Sequence, residues 1–205
     1  VYSIVAGGDG SLFDINSSTG VLSFKTAPNF ETPADGNTDN VYAVTVRADD
    51  QDGLSTDQTI SVTVDNVAPT ITSAATATVN ENETAAYTVT ATDPAGGTLS
   101  YSLTGTDAGL FDIDSGTGAV TFKVAPDYEN PTDAGTNNVY DVTVNASDGT
   151  ATTSQNVAIT VNPVNDNAPV FSTGNAFNVA ENNTTVVTVN ATDADLPTQT
   201  VVYSI

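Results

Sequence analysis

The 205-residue sequence contains no cysteine, histidine, tryptophan or methionine, and only three basic residues. Without cysteine the fold has no disulfides and the chain has no thiol chemistry. Without histidine, and with so few lysines and arginines, it lacks the usual nucleophile–base pairs and phosphate clamps. We therefore do not expect an enzyme.

The charge is almost entirely of one sign. The chain has 25 acidic residues and only three basic ones, Lys25, Arg47 and Lys123. Its formal net charge is therefore -22. Such a chain repels nucleic acid and anionic membranes, so neither is an expected partner. No apolar run approaches the roughly 20 residues of a membrane span, so we expect no membrane insertion. Because the sequence has neither methionine nor a signal peptide, we expect it to be a stretch of a longer or processed precursor.

The sequence repeats itself at a spacing of about 100 residues. Residues 12–15, Leu-Phe-Asp-Ile, return at 110–113, and the strand-like segment 41–46 returns at 139–144. Within a repeat, apolar and polar residues alternate, as at Tyr87, Val89 and Ala91, which predicts strands with one buried face. Several short strands per repeat predict an all-β fold of tandem Greek-key β-sandwiches with an immunoglobulin-like architecture.

The repeat boundaries divide the chain unevenly. Residues 70–169 form one complete repeat, residues 1–69 the last two-thirds of another, and residues 170–205 the first third of a further one. The two partial pieces together amount to one repeat. Either the chain is a window on a longer covalent array, or each unit completes the sandwich of its neighbour by strand complementation. We expect residues 170–205 to pair with residues 1–69 of the next unit.

The segment Asn165-Asp166-Asn167-Ala168-Pro169 follows the complete repeat and is rich in side-chain oxygens. Ca²⁺ takes about six to eight oxygen ligands from carboxylates, amides and carbonyls. This segment resembles the linker of cadherin repeats, which reads Asn-Asp-Asn-Ala-Pro, and the resemblance covers the whole chain. It implies cadherin-like sandwiches with Ca²⁺ between consecutive repeats.

The resemblance also implies the calcium ligands, because each family motif has a counterpart here. Around the linker after the complete repeat they are Glu81, Asp127, Glu129, Asn165, Asp166, Asn167, Asp193 and Asp195, with Asp50 supplied by the next unit. The other junction is shorter and has lost carboxylates, so we expect a weaker site with fewer ions. Its candidate ligands are Glu31, Asp65, Asn66, Asp93 and Asp148.

Two functions remain open at this point. The first is a calcium-stiffened structural or adhesive repeat array, part of a long extracellular surface protein or filament, with adjacent copies of the repeat as partners. Because it lacks cysteine and tryptophan, the sequence resembles bacterial cadherin-like repeats more than animal cadherins. This resemblance implies a location at a bacterial cell surface. The second is a Ca²⁺-dependent polysaccharide-binding module, although sugar platforms need exposed aromatic residues. A carboxylate-pair glycosidase is disfavoured because the carboxylates fall at domain ends.

Overall fold

The computed structural model describes all 205 residues and consists of β-strands, turns and two single-turn 3-10 helices, Gly10–Leu12 and Ala108–Leu110. Neither helical turn has the length and apolar character that crossing a membrane requires. The chain divides into two compact units. Unit 1 contains Val1–Thr70, Thr92–Leu99 and Ser147–Thr152, and unit 2 contains Ile71–Ala91, Ser100–Ala146 and Thr153–Ile205.

Unit 1 is built around one three-stranded antiparallel sheet and a short two-stranded one. Its strands are β1 (Tyr2–Ile4), β2 (Phe13–Ile15), β3 (Leu22–Phe24), β4 (Val41–Asp49) and β5 (Ser55–Thr63). The larger sheet has the order β1-β4-β5, and β2 pairs with β3. Tyr42 and Val44 of β4 point with Phe13 into a small core that Phe24 and Ile60 only partly cover.

The remaining strands belong mainly to unit 2. They are β6 (Thr70–Ile71), β7 (Thr76–Asn80), β8 (Ala85–Thr88), β9 (Ala91–Thr92), β10 (Ser100–Thr104), β11 (Phe111–Ile113), β12 (Ala119–Phe122), β13 (Val139–Ser147), β14 (Thr152–Asn162), β15 (Val170–Phe171) and β16 (Ala191–Thr192). One sheet has the order β10-β13-β14-β7, in which β14 and β7 run parallel. A second sheet has the order β11-β12-β8, and two short two-stranded sheets pair β6 with β9 and β15 with β16. Neighbouring strands that are distant in sequence are what a Greek-key sandwich requires, so the fold prediction is confirmed.

The core of unit 2 forms because buried and less buried side chains alternate along its two long strands, β13 and β14. Along β13, Tyr140, Val142, Val144 and Ala146 are buried, and along β14 Val157, Ile159 and Val161 are buried. Tyr140 meets Phe111 and Phe122 edge to face, with ring centroids 5.9 and 5.1 Å apart, an arrangement that aromatic quadrupoles favour.

The predicted alternation around β8 is only partly right. Val89 is buried as expected, but Tyr87 and Ala91 are only partly buried, and Ala86 joins the core instead. The pairing of β8 with β12 shifts register between Val120 and Thr121. Such a shift turns the side chains that follow it toward the other face, which the sequence pattern does not reveal.

The turn between β11 and β12 depends on Asp114 and Gly118. Asp114 Oδ1 accepts the backbone N–H groups of Gly116 and Thr117 at 2.9 and 2.8 Å. Gly118 has a φ of 72°, and a Cβ at this position would lie 2.4 Å from the backbone oxygen of Val89. Both the left-handed conformation and the close approach therefore require glycine.

We expect Gly118→Ala to lower the free energy of unfolding of unit 2 by at least about 1 kcal/mol, since it adds backbone strain and a steric clash. Urea unfolding monitored by tyrosine fluorescence measures the change. Gly116→Ala is the matched control, because its added Cβ would meet only an ordinary contact at 3.6 Å. Equal effects of the two substitutions would contradict this account of the turn.

Candidate metal centres

Three groups of carboxylates bring their oxygens within 4.8 Å of one another. Unit 1 holds Glu31, Asp93 and Asp148. Unit 2 holds Glu81, Asp127 and Glu129, and also Glu129, Asp166 and Asp195, so that Glu129 belongs to two groups. Like charges at such distances repel one another strongly unless a cation or a proton lies between them.

Glu81 is the buried centre of the first group in unit 2, with 2% of its surface exposed. It follows β7, and its two carboxylate oxygens accept backbone N–H groups from two different segments. Oε2 accepts the N–H of Tyr128 at 2.7 Å, and Oε1 accepts that of Val164 at 2.6 Å. One carboxylate thus ties the loop of residues 127–130 to the segment that leads into the linker.

The loop that carries Asp127 and Glu129 is held from both sides. Asp127 Oδ1 accepts the N–H groups of Glu129 and Asn130 at 3.0 and 3.1 Å. The side-chain amide of Asn138 donates to the backbone oxygen of Tyr128 at 2.9 Å. Asn138 has a φ of 61°, a left-handed conformation that asparagine tolerates better than most residues. These bonds fix the direction of the Glu129 side chain.

The linker is positioned by amide side chains. Asp166 Oδ2 accepts the Asn82 amide at 2.6 Å, and its Oδ1 accepts the Asn167 amide at 2.8 Å. Asp195 is buried, and its Oδ1 accepts both the backbone N–H and the amide of Asn167 at 3.0 and 2.9 Å. Burial disfavours the charged form of Asp195, but the hydrogen bonds from Asn167 and Asp166 outweigh it and lower its pKa. Asp195 is therefore ionised at neutral pH.

Two further predicted ligands, Asp193 and Asn165, lie outside the group of Glu129, Asp166 and Asp195 but form hydrogen bonds that help to position Asp195. Asp193 Oδ1 accepts the backbone N–H of Asp195 at 3.0 Å, which sets the turn that directs Asp195 inward. Asn165 donates its amide to the side-chain oxygen of Gln199 at 3.1 Å, and Gln199 in turn donates to Asp195 Oδ2 at 3.3 Å. Glu129 Oε1 accepts the N–H of Leu196 at 2.9 Å, so this side chain also joins the loop of residues 127–130 to the segment after Asp195.

The group in unit 1 is built on Asp148, in the turn after β13. Its Oδ1 accepts the N–H groups of Thr150 and Ala151, both at 2.7 Å, and its Oδ2 accepts the Asn66 amide at 2.9 Å. The N–H of Ala151, the Asn66 amide and the N–H of Thr150 lower the pKa of Asp148. On the facing loop, the amide of Asn29 donates to the backbone oxygen of Ala95 at 2.7 Å.

Several oxygens of this group are buried and accept no hydrogen bond. They are both carboxylate oxygens of Glu31, Oδ2 of Asp93 and the side-chain oxygen of Asn66. Buried carboxylate oxygens without a partner are costly, and in native proteins such atoms usually contact an ion or a water molecule. A Cβ on Gly97 would lie 3.3 Å from Cγ of Glu31, so the glycine lets the loop approach this side chain closely.

None of the three basic residues neutralises these groups. Arg47 pairs with Asp57 at 2.6 Å, Lys123 lies 3.9 Å from Asp112 and donates to Gly109, and Lys25 donates to the backbone oxygen of Ser11. The donor sets consist of carboxylate and amide oxygens only. Hard cations prefer this ligand chemistry, so the residues present fit Ca²⁺.

The structure brings together most of the residues that the sequence predicts. In unit 2 these are Glu81, Asp127, Glu129, Asp166, Asn167, Asp193 and Asp195, and in unit 1 Glu31, Asn66, Asp93 and Asp148. Asp65 is exposed and joins none of the three groups. The sequence analysis missed the positioning amides of Asn82 and Asn138. The recurrence of Asn82 as Asn182, next to the repeated glutamate, is a signal that could have identified it.

Both the sequence and the fold of this chain are similar to those of known proteins. The chain is 31% identical over 224 aligned residues, 99% of its length, to human protocadherin Fat 1. Its fold is similar to human protocadherin-24 EC1–2 (TM-score 0.50, 26% identity, 64% of this chain and 62% of that one). It is also similar to Drosophila N-cadherin EC1–4 (TM-score 0.50, 27% identity, 95% of this chain and 50% of that one). The chain spans only 5% of the length of Fat 1, and no family model matches it.

We expect Glu81→Gln to lower the free energy of unfolding of unit 2 by about 1.5 kcal/mol or more in EDTA. The amide can accept only one of the two backbone hydrogen bonds that the carboxylate accepts, and hydrogen bonds to charged groups are the stronger ones. Urea unfolding measures the loss. Glu181→Gln is the control, since Glu181 has the same position in the next repeat but is exposed. A neutral result for Glu81→Gln would show that Glu81 does not hold the loop.

Proposed function

Because this chain consists of cadherin-like domains, we propose that it is a segment of an extracellular, adhesive array of repeats that calcium stiffens. The ligands would come from the two sets of residues described above. At the stronger junction they are Glu81, Asp127, Glu129, Asn165, Asp166, Asn167, Asp193 and Asp195. At the other they are Glu31, Asn66, Asp93 and Asp148.

The observation that carries the calcium proposal is the set of buried oxygens without hydrogen-bond partners at Glu31, Asp93 and Asn66. Folding does not leave several such atoms together without compensation, because each one loses its contact with water. A divalent cation compensates all of them at once. In unit 2 the support is different, because there two carboxylate groups share Glu129 and no basic residue lies among them.

Calcium would join segments that lie far apart in sequence. In unit 2 an ion held by Glu129, Asp166 and Asp195 connects the complete repeat, the linker and the start of the next repeat. Ligands from three segments restrict their relative motion, so binding stiffens the junction. The same ions offset part of the net charge of -22, which otherwise makes the folded chain repel itself.

The array itself follows from the repeat boundaries. We propose that residues 70–169 are one complete domain, that residues 1–69 and 170–205 are parts of neighbouring domains, and that adjacent copies of the repeat are the partners. Asp50 would complete the site of the preceding repeat. Its Oδ1 accepts the N–H groups of Asp52 and Leu54 at 2.9 and 3.0 Å. Asp148 also accepts two backbone N–H groups of its own turn, from Thr150 and Ala151. A long bacterial surface protein or filament remains the predicted setting.

The alternative of a polysaccharide-binding module gains no support from the complete repeat, whose aromatic residues are all buried or partly buried. The exposed aromatic residues, Tyr2, Phe171, Phe177 and Tyr203, lie in the partial repeats. Phe13, Tyr42, Phe111, Phe122 and Tyr140 are buried in the two cores. A sugar platform needs aromatic faces that are open to solvent.

We expect the chain to bind Ca²⁺, and Asp166→Ala to weaken binding at the unit 2 sites about tenfold or more, because it removes a charged ligand of the linker. Isothermal titration calorimetry of the EDTA-treated chain measures both affinity and stoichiometry. Asp112→Ala is the control, since Asp112 is exposed on β11 and belongs to none of the groups. Unchanged affinity in Asp166→Ala would refute the ligand assignment.

We also expect the junction near Val64 to Pro69 to bind fewer ions than the other, because it has one carboxylate group instead of two. Asp148→Ala should then remove a single binding event, whereas Glu129→Ala should weaken binding at two. Small-angle scattering of a polypeptide that spans only the first junction should show little stiffening when Ca²⁺ is added. Equal stoichiometry and equal stiffening at both junctions would contradict this prediction.

A further inference from the structure

Two buried carboxylates of unit 2 belong to none of the three groups. Asp107 is 4% exposed and Asp133 is 2% exposed, and neither is among the grouped residues. No lysine or arginine pairs with either of them. Burying a carboxylate without a cation is costly unless hydrogen bonds replace its contacts with water. In both residues the backbone supplies these hydrogen bonds.

Asp107 attaches the loop of residues 127–138 to the core. Its Oδ1 accepts the backbone N–H of Ala134 at 2.9 Å, and its Oδ2 accepts that of Asp141 at 2.7 Å. Ala134 lies in the loop and Asp141 lies on β13. One buried carboxylate therefore joins the loop to a long strand of the sandwich.

Asp133 holds the end of the same loop. Its Oδ2 accepts the backbone N–H of Asn137 at 3.0 Å, and its Oδ1 accepts that of Asn138 at 3.1 Å. Asn138 is itself buried, and its amide donates to the backbone oxygen of Tyr128 at 2.9 Å. Asp133 thus fixes the backbone of the residue that bonds to Tyr128.

The peptide group between Tyr128 and Glu129 is consequently held at both of its polar atoms. Its oxygen accepts the Asn138 amide, and its N–H donates to Asp127 Oδ1 at 3.0 Å. A fixed peptide plane limits the positions that the Glu129 carboxylate can reach. Two carboxylate groups share Glu129, so this series of hydrogen bonds ends at the residue common to both.

The same series is present in unit 1, at the same repeat positions. The counterparts of Asp107, Asp133 and Asn138 are Asp9, Asp35 and Asn40. The oxygens of Asp9 accept the N–H groups of Gly36 and Ala43, and Asp35 accepts that of Asp39 at 2.9 Å. The Asn40 amide donates at 3.0 Å to the backbone oxygen of the residue that precedes Glu31. Two loops of different sequence share the series, so it is a property of the repeat.

We propose that this series positions the glutamate that binds calcium in each unit. The positioning residues are Asp107, Asp133 and Asn138 in unit 2, and Asp9, Asp35 and Asn40 in unit 1. They act on Glu129 and Glu31 and do not contact the ion. The inference rests on the proposed calcium function, and it adds that calcium affinity depends on residues outside the ligand set. Replacing a residue that orients a metal ligand typically lowers metal affinity about 10–100-fold.

Asn138→Gly tests the proposal without a change of charge. Residue 138 has a φ of 61°, which glycine adopts readily, so the variant loses the amide but keeps the backbone conformation. We expect calcium affinity in unit 2 to fall about tenfold in isothermal titration calorimetry, while the binding event of unit 1 is unchanged. Asn40→Gly is the reciprocal variant, since Asn40 has a φ of 63°, and it should weaken only the event of unit 1.

Asp133→Asn measures the contribution of the buried carboxylate. The amide oxygen accepts one backbone N–H group, but the NH2 group that replaces the second oxygen cannot accept the other. We therefore expect a loss of calcium affinity in unit 2 of about tenfold. Asp112→Asn is the control, because it removes the same charge from an exposed residue that belongs to none of the groups. Physiological salt screens the general loss of charge in both variants.

Hydrogen exchange in EDTA separates positioning from loss of folding and needs no ion. In Asn138→Gly, amide exchange at residues 128–130 should rise severalfold, because the loop opens locally. The amides of β13 and β14 should keep the protection that they have in the wild-type chain. This comparison also applies to Asp133→Asn.

The outcomes distinguish this inference from the calcium proposal. If the wild-type chain binds Ca²⁺ and Asn138→Gly binds it equally well, the positioning role is overturned and the metal sites stand. Lost protection throughout β13 and β14 in Asn138→Gly would show that the residue holds the whole fold, and it would also overturn the inference. Equal losses of affinity in Asp133→Asn and Asp112→Asn would overturn the role of Asp133. A wild-type chain that binds no Ca²⁺ would refute both proposals.

Discussion

Repulsion between closely spaced carboxylates is the constraint on which the rest of this structure depends. Each of the three groups holds carboxylate oxygens within 4.8 Å of one another, and none of the basic residues of the chain reaches them. Carboxylates at such distances repel one another unless a cation or a proton lies between them. In the proposed calcium-bound array, the ion supplies the positive charge that the basic side chains do not bring to these groups.

Neutral donors hold the carboxylates in place. Backbone N–H groups fix one oxygen of Asp127 and one of Asp148, and amides such as Asn82 and Asn167 bond to Asp166 and Asp195. Such donors orient a carboxylate without neutralising it, so the charge remains available to an ion. This pre-organisation lowers the ordering cost of binding. It also explains why asparagine is so frequent around the sites.

Whether an apolar residue is buried depends on whether its repeat is complete. Identical repeat positions are buried in the complete domain and exposed in the partial ones, as Val89 and Val189 show. One strand segment cannot bury its apolar face alone, whatever its sequence. Val189 is therefore exposed because its repeat is incomplete in this chain, and not because its own sequence differs from that of the complete repeat.

The sequence by itself determined the all-β fold and the repeat, and it predicted most residues of the carboxylate groups, because alternation along a strand and the spacing of motifs are local properties. The alternation of residues correctly predicted that Val89 is buried, and the predicted ligands Glu81 and Asp166 both lie in the carboxylate groups. Only the tertiary structure decided which oxygens converge, that Asp65 stays exposed, and that the weaker junction contains buried oxygens without partners. It also decided that Ala86 replaces Ala91 in the core, since a register shift between β8 and β12 depends on both strands. Convergence and register are relations between distant segments, and no single stretch of sequence contains them.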